Sequence, residues 1–249
     1  MLYAICNLSI IPLRAEPSDK SELVSQILYG EVFKITEQRK YWSKIKLAYD
    51  TYEGWVDHKQ YLEISEPQYA ALCAETPVLS NDLLEVVQDH SQQLITIPLG
   101  STLNGLDLLH HHYDGKTVAT INEKNQLIST AFMYLNAPYL WGGKTPFGID
   151  CSGFTQMVYK LNGYALLRDA SQQARQGLAL SFIEESEAGD LAFFDNNDGE
   201  IVHVGIIMED NYIIHAHGKV RIDRLDHSGI YNAERNQHTH KLRVIKKII

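Results

Sequence analysis

The chain has 249 residues, of which 45% are hydrophobic and 21% are charged, a composition typical of a globular protein that can bury more than one core. Its formal net charge of −9 at pH 7 excludes the broad basic surface that binding to nucleic acid or to an anionic membrane requires. A small or cationic ligand is more compatible with this charge balance.

Targeting and cysteine patterns favour a reducing compartment. Asn7 interrupts the apolar start before a signal sequence could form, and no stretch approaches the roughly 20 apolar residues that cross a bilayer. We therefore expect a cytoplasmic protein, provided that no export signal precedes this sequence. Cys6, Cys73 and Cys151 are too widely spaced for a disulfide framework or a CxxC metal site. We interpret Cys6 and Cys73 as packed core thiols.

Residues 7–64 contain short alternating apolar runs separated by turn formers, which predict a small all-β unit. Four motifs follow one another along this segment: Pro12-Leu13-Arg14-Ala15-Glu16-Pro17-Ser18, Tyr29-Gly30-Glu31, Tyr41-Trp42 and Glu53-Gly54-Trp55-Val56. With these motifs the segment resembles the bacterial SH3-like domain, and we expect such a domain over residues 1–65. Residues 66–122 repeat the strand rhythm with few motif residues, which predicts a second, degenerate SH3-like domain.

The pattern changes at Asn125, where apolar residues begin to recur at helical spacing until Asn136-Ala137-Pro138 ends the helix. A second helix is predicted to begin near Cys151. Helices followed by strands predict an α+β domain over residues 123–249. The predicted strands are residues 190–194, 201–207, 212–216, 220–223 and 242–245.

Cys151 and His203 are the candidate catalytic residues. Unpaired N–H groups at a helix start favour a thiolate, so the predicted position of Cys151 is suited to a nucleophile. The glycines of Trp141-Gly142-Gly143 would let the backbone approach a substrate closely. His203 interrupts an apolar strand and requires a polar partner, which His215 in the next strand can supply. Each residue alone also fits a structural role, as a buried thiol or a hydrogen-bonded core histidine.

Three motifs follow one another in the C-terminal half: Asp150-Cys151-Ser152-Gly153-Phe154, His203-Val204-Gly205-Ile206 and Ile214-His215-Ala216. In this order they resemble the NlpC-type cell-wall peptidases, which have a papain-like core. The resemblance implies that Cys151 is the nucleophile, His203 the general base and His215 the orienting residue, with His217 as an alternative to His215. It also implies that Tyr139 and the backbone N–H of Cys151 stabilise the oxyanion.

The expected fold is thus an α+β papain-like C-terminal domain preceded by two small all-β SH3-like barrels. No metal or organic cofactor is expected, because a thiol and an imidazole supply both the nucleophile and the proton transfer. The run His110-His111-His112 and the pair His238 and His240 are interpreted as surface segments, since no fixed ligand set accompanies them.

The resemblance also suggests how a substrate is held. NlpC-type peptidases cut next to γ-linked D-glutamate in peptidoglycan stem peptides, and a free peptide N-terminus needs a carboxylate partner. The segment from Arg168 to Gln173 resembles that of members that recognise an N-terminal L-alanine. Asp169 would bind the ammonium and Ser171 the adjoining backbone, whereas a helix N-cap at Asp169 is the alternative. The further predicted substrate contacts are Asp150 and Ser152 beside the nucleophile, and Glu16 and Tyr52 in an SH3-like domain that closes one end of the groove.

The expected reaction is hydrolysis of the bond between γ-D-glutamate and L-lysine or meso-diaminopimelate, with release of L-Ala-γ-D-Glu from imported muropeptides. Three alternatives stay open: an exported wall endopeptidase with SH3-like anchors, acyl or amide transfer by the same core, and a non-catalytic module that binds wall fragments. The intact cysteine and histidines favour an enzyme. The preference between lysine and diaminopimelate and the oligomeric state are not fixed by the sequence.

Overall fold

The computed structural model describes residues 2–249, and the chain divides into two compact units. Unit 1 comprises Met1–Thr120 and Trp141–Pro146, and unit 2 comprises Ile121–Leu140 and Phe147–Ile249. Between residues 2 and 249, no helix combines the length and apolar character needed to span a membrane.

Unit 1 begins with one antiparallel sheet of seven strands. The strands are β1 (Leu2–Ile5), β2 (Ile10–Arg14), β3 (Leu23–Leu28), β4 (Val32–Gln38), β5 (Trp42–Leu47), β6 (Glu53–Asp57) and β7 (Leu62–Ile64). Their spatial order is β3-β2-β6-β5-β4-β1-β7. Burial alternates along β5, as a half-buried antiparallel strand requires, and the inward residues include Ile11, Leu13, Phe33 and Ile45. The predicted all-β unit is confirmed.

The remainder of unit 1 adds short helices and two small sheets. These elements are α1 (Glu66–Ala74), β8 (Leu79–Ser80), β9 (Leu84–Asp89), β10 (Leu94–Pro98), α2 (Leu106–Leu109), β11 (His111–His112), β12 (Thr117–Val118) and β13 (Lys144–Thr145). Strands β10, β9 and β11 form one sheet, and β12 pairs with β8. Val87 and Ile97 share a hydrophobic core with Ile5 of β1 and with Tyr29 in the turn after β3. A separate second SH3-like barrel therefore stays a prediction.

Two predictions about residues in unit 1 need correction. Cys6 is buried as expected, but Cys73 is exposed, because no residue of α1 is fully buried. His111 is half-buried rather than a surface residue. Its Nδ1 lies 2.7 Å from the Tyr29 hydroxyl, so a hydrogen bond holds this histidine on the core.

The segment Trp141–Pro146 belongs to unit 1, although the sequence placed it in the C-terminal domain. The backbone N–H of Lys144 donates to Gln26 Oε1 over 2.7 Å. Lys144 Nζ lies 3.5 Å from Glu31 Oε1, and both side chains are buried. A buried ion pair therefore anchors this segment to the strands of unit 1.

Gly142 explains part of the glycine-rich turn in this segment. Its φ of +76° favours glycine, and a Cβ atom there would lie 2.4 Å from the carbonyl oxygen of Leu23. The sequence interpretation assigned the close backbone approach to a substrate. The structure instead places the backbone of β3 against this glycine.

Unit 2 begins with helices that pack on one another. They are α3 (Gln126–Phe132), α4 (Cys151–Leu161) and α5 (Ala170–Gln173), with the short strand β14 (Gly148–Ile149) before α4. The helix predicted near Cys151 is confirmed as α4, which packs against α3. Every residue of α4 is buried, so the start of this helix lies within the core of the unit.

Seven further strands complete unit 2: β15 (Leu178–Leu180), β16 (Leu191–Asp195), β17 (Ile201–Met208), β18 (Tyr212–His217), β19 (Lys219–Asp226), β20 (Gly229–Asn232) and β21 (Gln237–Lys247). Their order is β15-β21-β16-β17-β18-β19-β20, and β20 also pairs with β21, which closes six of the strands into a barrel. Phe194, Ile213, Leu225 and Ile230 are among the residues of its core. The predicted α+β architecture is confirmed.

Candidate active site

Cys151 is the first residue of α4 and is 6% exposed. Asp150 caps the helix, since its Oδ1 accepts a hydrogen bond of 2.6 Å from Gly153 N. Helix α4 packs against β17, and the backbone N–H of Val204 donates to the Cys151 sulfur. The fold thus brings the thiol next to the strand that carries His203.

The environment of Cys151 favours the protonated thiol. Burial, followed by the nearby Asp150 carboxylate, raises the pKa of Cys151 to about 12, although the Val204 N–H and Arg168 act in the opposite direction. The expectation that the helix start lowers this pKa is therefore wrong for the resting site. Burial outweighs the helix terminus because a thiolate loses its hydration there.

His203 and His215 form a hydrogen-bonded chain that continues to an aspartate. His203 Nε2 lies 2.8 Å from His215 Nδ1, and His215 Nε2 lies 3.0 Å from Asp223 Oδ2. All three side chains are buried. The hydrogen bond of His203 is made to His215, so the structure favours His215 over His217 as the partner of His203.

His203 and His215 are both uncharged near neutral pH. Burial lowers the pKa of His203 well below its usual value, and the neighbouring His215, His240 and His217 lower it further. Burial also lowers the pKa of His215, despite its bond to Asp223. A neutral His203 can accept a proton, which is what a general base requires.

His240 is a residue of the site that the sequence interpretation missed. Its ring stacks on that of His203, with centroids 4.1 Å apart and planes inclined by 23°. Burial lowers the pKa of His240 to about 3. The prediction that His240 lies in a surface segment is wrong. The strand was predicted to begin at Leu242, whereas the alternation of β21 extends back to His240, and that alternation was the available signal.

The histidines also bear on whether a metal could bind. One ligand nitrogen from each of His203, His215 and His240 lies within 4.8 Å of the others. Zinc binds imidazole nitrogen at about 2.0 Å with the metal in the ring plane. Because His203 and His240 are stacked in nearly parallel planes, their lone pairs do not converge on one ion. This geometry suits stacking and hydrogen bonding rather than a metal centre.

Tyr139 lies close to the nucleophile. Its backbone forms a bridge with Ile149, two residues before Cys151, and its N–H donates to Gly218 O over 3.0 Å. Burial raises the pKa of Tyr139, and its proximity to Cys151 and to the Asp150 carboxylate adds to this effect. The phenol therefore keeps its proton and can donate a hydrogen bond to a developing oxyanion.

Arg168 is a second residue of the site to which the sequence interpretation gave no role, and it is buried. Its Nη2 lies 2.6 Å from Asp150 Oδ2 and its Nη1 lies 3.0 Å from Asp150 Oδ1. Nη1 also donates to Ser152 Oγ over 3.0 Å. Asp150 and Ser152 are thus held beside Cys151 by an arginine and a helix cap, and their predicted contact with substrate stays a prediction.

Comparison with known proteins identifies the domains. Residues 136–240 match the NlpC/P60 family, and residues 13–60 match the bacterial dipeptidyl-peptidase Sh3 domain. The chain joins an NlpC/P60 domain to a dipeptidyl-peptidase SH3 domain. The prediction of an NlpC-type cysteine peptidase with an SH3-like domain is confirmed.

Two named proteins are similar to most of this chain. Dipeptidyl-peptidase 6 of Lysinibacillus sphaericus is 28% identical over 90% of this chain and 92% of that protein. The gamma-D-glutamyl-L-lysine dipeptidyl-peptidase of Bacillus cereus is 28% identical over 80% of this chain and 68% of that protein. A crystal structure of an NlpC/P60 family protein from Bacillus cereus ATCC 10987 has a TM-score of 0.82, with 99% of each chain covered and 21% identity. That likeness establishes a shared fold.

Asp169 and Ser171 lie at the start of α5, within the residues that match the NlpC/P60 family. Asp169 is the N-cap of α5, where Gln172 closes a capping box and its Oε1 accepts from Asp169 N over 3.1 Å. The alternative interpretation as a helix cap is therefore observed. Ser171 lines an open cleft of about 600 Å³ together with Arg175 and Arg243. Binding of an ammonium by Asp169 and of backbone by Ser171 stays a prediction.

Glu16 and Tyr52 lie in unit 1, within the residues that match the SH3 domain. Glu16 is exposed and Tyr52 is half-buried against the hydrophobic core of the first sheet. Their predicted contacts with the substrate stay predictions.

Proposed function

We propose that this chain is a dipeptidyl-peptidase that hydrolyses the bond between γ-D-glutamate and L-lysine or meso-diaminopimelate in peptidoglycan stem peptides. The peptide enters with a free N-terminal L-alanine, and L-Ala-γ-D-Glu is released. The observation that carries the proposal is the pairing of a dipeptidyl-peptidase SH3 domain with an NlpC/P60 domain in which His203 is bonded to His215. The names of relatives such as the Bacillus cereus gamma-D-glutamyl-L-lysine dipeptidyl-peptidase support the substrate class.

The first half of the reaction forms an acyl-enzyme. Because Nε2 of His203 is hydrogen-bonded to His215, Nδ1 of His203 is the nitrogen that can receive the Cys151 proton. As the proton moves, the sulfur attacks the γ-carbonyl carbon of D-glutamate. The oxygen of that carbonyl group becomes an oxyanion. The Tyr139 phenol and the backbone N–H of Cys151 donate hydrogen bonds to that oxyanion. His203 then gives its proton to the amine of lysine or diaminopimelate, which leaves as the C–N bond breaks.

The second half regenerates the enzyme. His203 takes a proton from water, whose oxygen attacks the thioester carbon, and the C–S bond breaks. The sulfur recovers its proton from His203, and L-Ala-γ-D-Glu leaves with a free γ-carboxylate. No charge has to be present on the resting thiol and imidazole, which agrees with the raised pKa of Cys151 and the lowered pKa of His203.

We place this reaction in the cytoplasm, as a step of muropeptide recycling. A substrate with a free L-alanine amine is a stem peptide already separated from its sugar, which fits an imported fragment better than intact wall. Asp169 supplies the carboxylate for the ammonium in this proposal, and Glu16 and Tyr52 supply further contacts.

The direct test is mass spectrometry of L-Ala-γ-D-Glu-L-Lys and its diaminopimelate counterpart after incubation with the wild type and with Cys151→Ala. We expect the wild type alone to release the dipeptide. Cys73→Ala is the matched control, because Cys73 is exposed on α1 and should keep full activity. Digestion of intact wall instead of the tripeptides would identify a wall endopeptidase, and transfer to an added amine would identify an acyltransferase. Either result would contradict the proposal.

The ammonium contact has its own test, in which free and N-acetylated tripeptide are compared. Asp169→Asn keeps a side chain that can cap α5 but removes the carboxylate. We expect it to raise KM for the free tripeptide at least tenfold, which is a loss of about 1.4 kcal/mol of binding, and to leave the weak cleavage of the acetylated peptide unchanged. An equal loss on both peptides would mean that Asp169 acts only through the helix.

A further inference from the structure

The hydrogen-bonded chain of the site extends beyond the histidines to a clamped carboxylate. Asp223 Oδ2 lies 3.0 Å from His215 Nε2. Arg221 binds the same carboxylate through both oxygens, with Nε 2.7 Å from Oδ2 and Nη2 2.9 Å from Oδ1. Asp223 is 6% exposed, so its position is fixed by these two partners.

The register of the strands produces this geometry. On β18 and β19, His215 pairs with Arg221, and Ile213 pairs with Asp223. His215 and Asp223 are therefore diagonal neighbours on one face of the sheet, at a spacing that long side chains bridge. The sequence separation alone does not reveal this contact, because it depends on the hairpin register.

The charge state of Asp223 decides the direction of the hydrogen bonds. Burial acts to raise the pKa of Asp223, but the hydrogen bonds from His215 and Arg221 outweigh it and the pKa is lowered. Asp223 is thus an ionised carboxylate, which can only accept hydrogen bonds. The bond at His215 Nε2 must therefore be donated by an Nε2–H group.

This assignment determines both histidine tautomers. A neutral imidazole carries one proton, so a His215 protonated at Nε2 has an accepting lone pair at Nδ1. His203 Nε2, 2.8 Å away, must then donate its own N–H. The lone pair of His203 is left at Nδ1, which is the nitrogen that the proposed mechanism uses.

We propose that Asp223, clamped by Arg221, is a positioning residue that sets the tautomers of His215 and His203 and so keeps His203 Nδ1 available as the base. The inference rests on the proposed function for its kinetic consequence. When His203 holds the Cys151 proton, His215 accepts from the imidazolium, and the Asp223 charge strengthens that acceptor. Asp223 touches neither substrate nor thiol and acts only through His215.

The other charged and titratable groups around His203, His215 and Asp223 come from several elements. His217 on β18 and His240 on β21 face the histidines, and both have lowered pKa values because of burial. Arg221 on β19 is also bound by Glu234, whose Oε2 lies 3.1 Å from Nη1. Arg235 lies close enough to His217 to lower its pKa further. Asp223 is the carboxylate that bonds directly to His215.

The decisive variant is Asp223→Asn, with Asp226→Asn as its matched control. Asp226 lies on the same strand, and its Oδ2 is 2.9 Å from His238 Nε2. The control therefore removes a similar aspartate–histidine bond that is not connected to His215 or His203. Asparagine at position 223 removes the negative charge and one of the two accepting oxygens, so His215 is no longer held with its proton on Nε2 and can carry it on Nδ1. By analogy with serine peptidases, kcat should fall about 100- to 10,000-fold with KM changed less than about threefold. Asp226→Asn should stay within about twofold of the wild type.

Tautomers can be read without substrate, from the ¹⁵N chemical shifts of the histidine rings. We expect His215 to carry its proton on Nε2 in the wild type and in Asp226→Asn, and on Nδ1 in Asp223→Asn. Arg221→Gln, which keeps the carboxylate but loosens it, should retain the wild-type tautomer and lose less activity than Asp223→Asn. The pH–rate profile of Arg221→Gln should have its acid limb at the same pH as the wild type, whereas the acid limb of Asp223→Asn should be shifted.

Several results would overturn the inference. An unchanged His215 tautomer in Asp223→Asn, or equal losses in Asp223→Asn and Asp226→Asn, would reduce Asp223 to a structural residue. Failure of the proposed function would look different. If the wild type cleaves no tripeptide, the ring shifts and the pH dependence of Cys151 alkylation by iodoacetamide still report whether Asp223 controls His203.

Discussion

The ring of His240 stacks on the ring of His203 at a centroid separation of 4.1 Å. This contact covers one face of the proposed base and contributes to its burial. Since burial is the main reason that the pKa of His203 is lowered, His240 helps to keep the base neutral in mildly acidic solution.

Replacement of His240 by asparagine should therefore narrow the pH range of activity. The variant opens one face of His203 to water, so its pKa rises towards 6.5 and the inactive imidazolium becomes populated at higher pH. We expect a several-fold lower kcat/KM at pH 5 and little change at pH 8. The measurement is a pH–rate profile. His238→Asn is the control on the same strand, because His238 is exposed and bonded to Asp226, and a similar shift in both variants would count against the stacking argument.

Gly205, in the motif His203-Val204-Gly205, has a packing role. It pairs with His215 across β17 and β18, and a Cβ at this position would lie 2.8 Å from His215 Cβ. Gly205→Ala should displace His215 and lower kcat at least tenfold, because misplacement of a catalytic group by about 1 Å can cost 100-fold. Gly199→Ala is the control, since a Cβ there would have no atom within 4 Å. It should cost only stability, through its φ of +80°. Full activity of Gly205→Ala would contradict the prediction.

Tyr139→Phe tests the oxyanion role of the phenol. Loss of one oxyanion donor typically lowers kcat about 100- to 1,000-fold, and we expect a loss in this range with KM little changed. Tyr134→Phe provides the comparison, because Tyr134 is fully buried and its hydroxyl makes no hydrogen bond within residues 2–249. Steady-state kinetics on the tripeptide should show normal activity for Tyr134→Phe. Comparable rates for the two variants would remove Tyr139 from the mechanism.

The buried pair Lys144 and Glu31 predicts a stability effect in unit 1. Lys144→Met leaves the Glu31 carboxylate buried without its lysine, which should lower the free energy of unfolding by about 3 kcal/mol. Adding Glu31→Gln should recover part of that loss, since the uncompensated charge is gone. Lys116→Met, which breaks an exposed pair with Asp82 at 3.9 Å, should cost less than about 1 kcal/mol. Urea unfolding measures all three, and equal losses for Lys144→Met and Lys116→Met would refute the effect of burial.

Residues whose signal is local were predictable from the sequence. Cys151 stands at the start of a segment with apolar residues at helical spacing, and His203 and His215 each interrupt an apolar strand, so periodicity predicted the element in which each of the three lies. Family motifs around the same positions gave their order and the expected chemistry. The α+β character of residues 123–249 followed from the change of period from helices to strands.

Other parts of the site depended on strand register and closure. Asp223 reaches His215 because of the pairing between β18 and β19, and His240 reaches His203 because β21 completes a closed barrel. Arg168 forms an ion pair with Asp150, which lies 18 residues earlier in the sequence. Segment Trp141–Pro146 packs with unit 1, although its sequence neighbours belong to unit 2. Contacts of this kind depend on register, and a shift of one residue turns every side chain of a strand to the opposite face, so only the tertiary structure could decide them.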